Sequence, residues 1–387
     1  METPQDMNQV NGNRLANHSG KPQRNCGIDL LRVVSMLMIC VLHVLQQGGV
    51  LSAAPRMGGH YLVGKLLETL VVCGVNCFAL ISGFVNCTSD VRLRNLFRLW
   101  LEVVFYSFGI GLVFWLACPQ QVPVRDVVEN LFPASMLRYW YFSAYVLLFL
   151  SMPMLNAVLS GMPMAKLRNS LFAVFVVVCL FRCVPVLGRM GMEFKDGFSA
   201  LWLVYLYLVG GFLRKYGLRN LVFPAPGKHP GATRLAEGLI RRIGPRHLDM
   251  LGFLSCIGFS WAVSMFAESV GMRLVGRDFR FQALTLYVSP TIFLASLALF
   301  HCFSALEPGG AARWVASKLA PMAFAVYLIQ TQHEVWRLVF KNAFAWIADF
   351  PAVFLPVFTL ASAVAIYLAC TLVDCLRRAL FGLLTIR

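Results

Sequence analysis

Charge is what this chain has least of. Only 13% of its 387 residues are Asp, Glu, Lys or Arg, about half the roughly 25% of an ordinary soluble domain. With 58% hydrophobic residues, that scarcity excludes a soluble globule, a disordered chain and a collagen-like repeat. The net charge of +16 sits in short basic clusters between apolar runs and forms no continuous stripe, so nucleic acid is excluded as a partner. Metal-ligand spacing is missing too. The twelve cysteines lie almost entirely inside apolar runs, and the pairs Cys73/Cys77 and Cys179/Cys183 lack the His or further Cys of a zinc site. They are expected to be small buried hydrophobes, with no metal bound. Other absences are a small-residue cleavage site after the first apolar run, a P-loop, a solenoid repeat and a clear pair of broken helices of the transporter type. The first apolar run is therefore expected to remain as a membrane anchor.

What the chain has instead is long apolar stretches. At about 20 residues per crossing, ten are expected to span, near 28-48, 63-85, 97-117, 139-159, 169-187, 198-213, 248-268, 284-306, 316-332 and 352-375. The fold expected is an all-α integral membrane bundle. A transmembrane domain over 28–377 lies between a tail over 1–27 and a tail over 378–387, and includes a Pro/Gly/Arg-rich loop over 214–247. Placing both termini in the cytoplasm puts the larger share of Lys and Arg inside, as the positive-inside rule requires. One segment near 333–350 carries Trp336, Val339, Phe340, Ala343 and Ile347 at helical spacing. It is expected to lie as an amphipathic helix in the outer interface.

An ionisable side chain at the centre of a span costs about 2.5–3.5 kcal/mol on insertion scales, so each needs a partner, a watery cavity or a task. The first span carries Asp29, Arg32 and His43; later ones carry Glu68, Arg98, Glu102, Arg182 and His301. Eleven residues separate Arg32 from His43, which at about 100° each places them within about 20° on one helical face and roughly 16 Å apart along the axis. Asp29, one turn below Arg32, can orient its guanidinium. A ligand bridging the two would be anionic at the Arg32 end and reactive at the His43 end. The competing accounts are an Arg32 that snorkels to headgroups and a His43 that bonds a neighbouring helix in the core.

Further candidates are weighed in the same way. Small and hydroxyl-bearing residues around Ser82 and Gly83 permit close helix approach, which packing alone would explain. Arg92, Arg94 and Arg98 follow the second span; Arg94 and Arg98 are i,i+4 neighbours that either clamp a phosphate or anchor the helix as inside charges. Trp140 and Tyr141 open the fourth span as an interfacial belt or a sugar-stacking surface. Gln330, Gln332 and His333 end the ninth as acceptor ligands or as a polar loop.

This combination resembles the acyltransferase 3 family, membrane enzymes that move acyl groups from acyl-CoA to sugars and related acceptors. The resemblance rests on Ile28-Asp29-Leu30-Leu31, on Arg32 and His43 with ten residues between them, and on Phe78 to Gly83 as a variant of a Phe-Phe-x-x-Ser-Gly element. The aromatic helix from Trp140 and a late Tyr-Leu-Ile element with Gln330 in place of His add to it. It implies acetyl-CoA or another acyl-CoA as co-substrate, its phosphates on Arg32, Arg94 and Arg98 with Ser82 nearby, and its thioester at His43. The acceptor implied is a glycan or lipid-linked saccharide near Trp140, Tyr141, Gln330 and His333, in the cell membrane. His43, supported by Arg32 and Asp29, would be a general base or would carry the acyl group itself. A transporter or flippase for an anionic lipid-linked sugar is the alternative.

Overall fold

The computed structural model describes residues 25–183, 194–222, 244–276 and 279–383. Its longer helices are α1 (Cys26–Leu45), α2 (Gly59–Val71), α3 (Gly74–Asn86), α4 (Leu93–Ala117), α5 (Trp140–Gly161), α6 (Met164–Phe175), α7 (Ala200–Val222), α8 (Pro245–Leu274), α9 (Pro290–Ser304), α10 (Gly310–Leu319), α11 (Ala323–Gln330) and α12 (Leu355–Leu383). Among the described residues, six helical stretches are long and apolar enough to cross a membrane: Cys26–Ala53, Gly59–Asn86, Leu93–Ala117, Trp140–Gly161, Pro245–Leu274 and Ala352–Leu383. The chain is all-α and multi-pass.

α1 is the axis of the bundle. Asn25 caps it by accepting from the Ile28 N–H at 3.0 Å, and its own amide donates to the Ser304 carbonyl, fastening the helix start to the end of α9. Around α1 pack α2, α3, α9, α10, α11 and α12. In an apolar solvent such packing is driven by close van der Waals fit rather than by burial from water, which favours small residues at the contacts. α3 and α7 show this most clearly. A Cβ on Gly83 would run into the Tyr207 backbone, and one on Gly210 into the Leu80 carbonyl. The expected role of the Ser82-Gly83 element in close approach is thus met by backbone against backbone. Because backbone cannot step aside as a side chain can, Gly83→Ala should destabilise the bundle by about 1–3 kcal/mol. The check is the melting temperature of detergent-solubilised protein; an unchanged value would mean the α3–α7 contact is looser than drawn.

Several expected elements are redrawn. The ninth span is not one helix: Pro321, lacking an N–H, sits in a 3₁₀ turn over Ala320–Met322 that separates α10 from α11. The fifth passes from α6 through a π turn, Val176–Leu180, into a 3₁₀ turn, Phe181–Cys183. Its remaining residues, and the Arg182 side chain, lie outside those described. The loop expected over 214–247 begins as helix, since α7 continues to Val222 through a break at Gly217 (φ 76°), and ends as helix from Pro245. Residues 223–243 lie outside the described part, as do 1–24 and 384–387 of the two tails. The tail boundary at 378 falls inside α12. Cys183 and Cys375 are exposed rather than buried.

The 333–350 segment is not an amphipathic helix. It forms a π turn, Val335–Phe340, and a 3₁₀ turn, Ala345–Asp349. Of the five residues expected on one face, Phe340 and Ile347 are buried while Val339 and Ala343 are exposed. Its backbone is stapled to the chain just after α1: the Asn342 N–H donates to the Gln47 carbonyl and the Phe344 N–H to that of Gly48, both under 3 Å. The Gln47 amide returns a bond to the Trp336 carbonyl at 2.9 Å. The segment therefore caps the His43 end of α1.

Candidate active site

α1 runs unbroken from Cys26 to Leu45, so the helical arithmetic for Arg32 and His43 applies, and each lines a cavity. Arg32 borders one of about 290 Å³ together with Ser82, Tyr145 and Pro321. Its Nη1 donates to the buried Asp29 carboxylate at 3.1 Å, so the pairing expected one turn apart is formed. His43 borders a second cavity of about 40 Å³, walled by Trp140, Tyr287 and Tyr327. Phe78, Tyr141 and Phe324 line both. Three shared aromatic walls set the cavities end to end, with the rings as the partition between a guanidinium compartment and an imidazole compartment.

The imidazole is held by shape. The Trp336 ring meets it edge-on at 4.8 Å between centroids and is itself stacked on Phe340. Nδ1 of His43 is buried without a hydrogen bond. Gln330, at the end of α11, is fully buried beside it; its Nε2 points at Met36 Sδ, 3.8 Å away. Trp140 packs on Phe198 and Tyr287, and Tyr141 on Tyr327, so the imidazole compartment is an aromatic box.

The remaining sequence candidates separate. Ser82 lines the Arg32 cavity, but its hydroxyl donates to the Phe78 carbonyl one turn back. Arg94 and Arg98 are exposed and line neither cavity, although Leu99, next to Arg98, does. His333 is not brought to the imidazole. It lines neither cavity and is half-exposed, with Nε2 3.9 Å from Asp126 in a group completed by Glu334. Gln332 is structural: its Oε1 accepts from the backbone N–H groups of Glu334 and Val335. Beside this group Arg138 bridges Asp126 and Glu129 at 2.9 and 2.7 Å, and the Arg125 hydrogen bond holds the Glu129 carboxyl below the usual range.

Three of the other charges in spans have partners among the described residues. Glu68 accepts from Gln46 and Lys65, His301 Nδ1 meets Asp249 at 2.7 Å, and Glu102 pairs with Arg377. Arg377 and Arg378 converge on the fully buried Asp374, which also accepts from the Tyr106 hydroxyl. Arg378 in addition donates to the Pro321 carbonyl at 2.7 Å, so this ionic cluster fixes the helix break that walls the Arg32 cavity. Sequence reasoning missed Tyr145, Tyr287, Phe324, Tyr327 and Trp336 as site walls. Each is an aromatic in an apolar run with nothing in its spacing to set it apart; Trp336 was visible, but as part of an interfacial face.

A helical membrane bundle whose central helix presents a carboxylate-paired arginine and an imidazole to adjoining internal cavities is built for chemistry on a ligand that enters it. A family model for the acyltransferase domain of the acyltransferase 3 family matches residues 25–373. The chain belongs to that family, and it is a membrane acyltransferase. No curated protein and no solved structure matches it.

Proposed function

We propose that the protein transfers an acyl group, acetyl above all, from cytoplasmic acyl-CoA to a hydroxyl of an extracytoplasmic or lipid-linked glycan in the cell membrane. The observation that supports this reading is the pair of cavities with shared walls, bordered by Arg32 in one and His43 in the other. Arg32 takes donor phosphate, a role suited to a guanidinium oriented by Asp29. Arg94 and Arg98, exposed beyond the cavity mouth, add electrostatic attraction for the nucleotide. The pantetheine arm runs along α1 past Phe78, Tyr141 and Phe324, and the thioester reaches His43.

At His43 the acceptor hydroxyl gives its proton to the imidazole as its oxygen bonds the thioester carbon. The tetrahedral intermediate then expels the CoA thiolate by breaking the C–S bond, and the imidazolium returns the proton to sulfur. An acyl-imidazole formed first on His43 and then cleaved by the acceptor gives the same balance. Trp140 and Tyr141 supply faces for a sugar ring, with Gln330 and His333 on the acceptor side. Transfer from thioester to alcohol needs no nucleotide hydrolysis, in keeping with the missing P-loop.

The cavity at His43 holds only about 40 Å³, room for a few water molecules at most. A short acyl group fits after the shared rings turn aside, whereas a long one meets the aromatic box. Truncating Phe78 or Phe324 should therefore shift selectivity: the butyryl-to-acetyl ratio of kcat/KM should rise about 10-fold, the scale of a few methylenes in an apolar pocket. Competition between the two acyl-CoA donors measures this directly. An unchanged ratio in both variants would remove these rings from the acyl path.

The experiment that tests the function is acetyl transfer by purified protein in nanodiscs, with acetyl-CoA and the membrane glycan fraction. Wild type should acetylate the glycan and be stabilised against heat by acetyl-CoA. Neither effect is expected of a flippase.

A further inference from the structure

Among the described residues, two unpartnered buried atoms lie beside the site and are left unused by the mechanism above. Nδ1 of His43 and Oε1 of Gln330 are both buried and neither makes a hydrogen bond. Leaving one such atom bare costs about 1–3 kcal/mol, and here two of complementary kind occur on adjoining side chains. An amide oxygen only accepts; an imidazole nitrogen donates if it carries the proton. Both are satisfied at once if that proton is on Nδ1.

The orientation of the Gln330 amide follows from its other neighbours. Its Nε2 faces Met36 Sδ at 3.8 Å and lies next to Cys40. Both are sulfur groups that accept from N–H and give an amide oxygen no good donor. Turning the amide over would lose that contact, so Oε1 belongs on the imidazole side. The helix containing Gln330 is itself fixed: Gln332 caps the next turn, and the Trp336 carbonyl is bonded to Gln47. The polar or titratable side chains that face His43 from the other walls are those of Trp336, Trp140, Tyr141, Tyr287 and Tyr327. Glu68, a carboxylate near the Tyr287 wall, is engaged by Gln46 and Lys65.

We infer that Gln330 is a positioning residue: it accepts from Nδ1–H of His43, fixes that tautomer, and leaves the Nε2 lone pair facing the cavity as the proton acceptor. The role is that of the carboxylate behind the histidine of a hydrolase triad, filled here by a neutral amide. This suits a buried apolar site, where a carboxylate would itself need a counter-charge. The inference rests on the reading of His43 as the base, and it moves Gln330 from the acceptor side of the site to the rear of the imidazole.

The test has a readout besides activity. Protein labelled with 15N-histidine in nanodiscs reports the tautomer of each imidazole, and the His43 signal is the one lost in His43→Gln. Wild type should show His43 protonated at Nδ1. In Gln330→Leu that signal should move toward the Nε2–H form, with kcat down about 100-fold, as for loss of a tautomer-fixing group, and KM for acetyl-CoA within about twofold. Gln330→Glu, which keeps an acceptor oxygen, should restore the Nδ1–H signal and most of kcat. A wild-type His43 protonated at Nε2, or a Gln330→Leu spectrum identical to wild type, overturns the inference whatever the activity. Full turnover in His43→Gln instead overturns the base reading beneath it, while the wild-type tautomer still stands to be read on its own.

Discussion

His43→Gln should lower acyl transfer by about 10³-fold or more while leaving the protein folded and still able to bind acyl-CoA. General-base or nucleophilic assistance contributes about 10²–10⁴-fold, and among the described residues the His43 cavity is walled otherwise by aromatic and aliphatic side chains, with no second base. Glutamine matches imidazole closely in size, so the Trp336 contact is kept in part and no cavity of consequence is created. The effect should fall on kcat. KM and heat protection by acetyl-CoA should change little, because the donor's phosphates are held near Arg32, roughly 16 Å away along α1. Steady-state kinetics with acetyl-CoA, alongside thermal denaturation with and without it, distinguishes this from simple misfolding. A variant with near-normal turnover would leave the imidazole as a packing group.

Arg32→Met gives the complementary result. The guanidinium is charged, paired to Asp29 at 3.1 Å, and open to the larger cavity. A hydrogen bond to an ionised partner contributes about 1.5–3 kcal/mol, so its loss should raise KM for acyl-CoA by about 10- to 100-fold. Methionine preserves the stem's packing, which alanine would not. Asp29 then loses the salt-bridge partner the structure gives it, and a drop in melting temperature is expected as well. Donor analogues lacking phosphate separate the two contributions. Acetyl-pantetheine should react about equally poorly with wild type and Arg32→Met, because neither complex contains the phosphate contact. If Arg32→Met instead weakens both donors to the same degree, Arg32 supports the fold and does not grip phosphate.

The central helix was open to reading from sequence because its signal is local. Asp29, Arg32 and His43 lie within one unbroken helix, where the 3.6-residue period converts spacing directly into direction. The small residues at Ser82 and Gly83, expected to permit close helix approach, belong to the same class of local rule. What sequence could not supply was contact between distant elements. That Phe324 from α11 and Tyr141 from α5 meet Phe78 from α3 depends on how three helices pack around α1. Asp249 beside His301 and Asp374 between Arg377, Arg378 and Tyr106 are likewise products of packing. The misreadings share a cause. Apolar periodicity made 316–332 a single span and 333–350 an amphipathic helix, but Pro321 breaks the first. The second is governed by backbone bonds to Gln47 and Gly48, which no hydrophobic pattern reveals.

The comparison with the acyltransferase 3 family covers residues 25–373, the same stretch that builds both cavities. The departure at position 330 has a structural meaning. The glutamine there is buried near the imidazole with its Nε2 3.8 Å from Met36 Sδ, whereas His333, three residues on, has its Nε2 3.9 Å from Asp126. Under the inference above, it is Gln330 and not His333 that serves the imidazole.

The whole account depends on one ligand reaching both Arg32 and His43. Cryo-electron microscopy of the His43→Gln protein with acetyl-CoA in nanodiscs measures this most directly. The donor should be found with a phosphate on the Arg32 guanidinium, its arm passing Phe78, Tyr141 and Phe324, and its thioester carbon within about 4 Å of residue 43, a near-attack distance. Density for the donor confined to the exposed Arg94 and Arg98, with the rings between the two cavities closed and nothing beside residue 43, would contradict it.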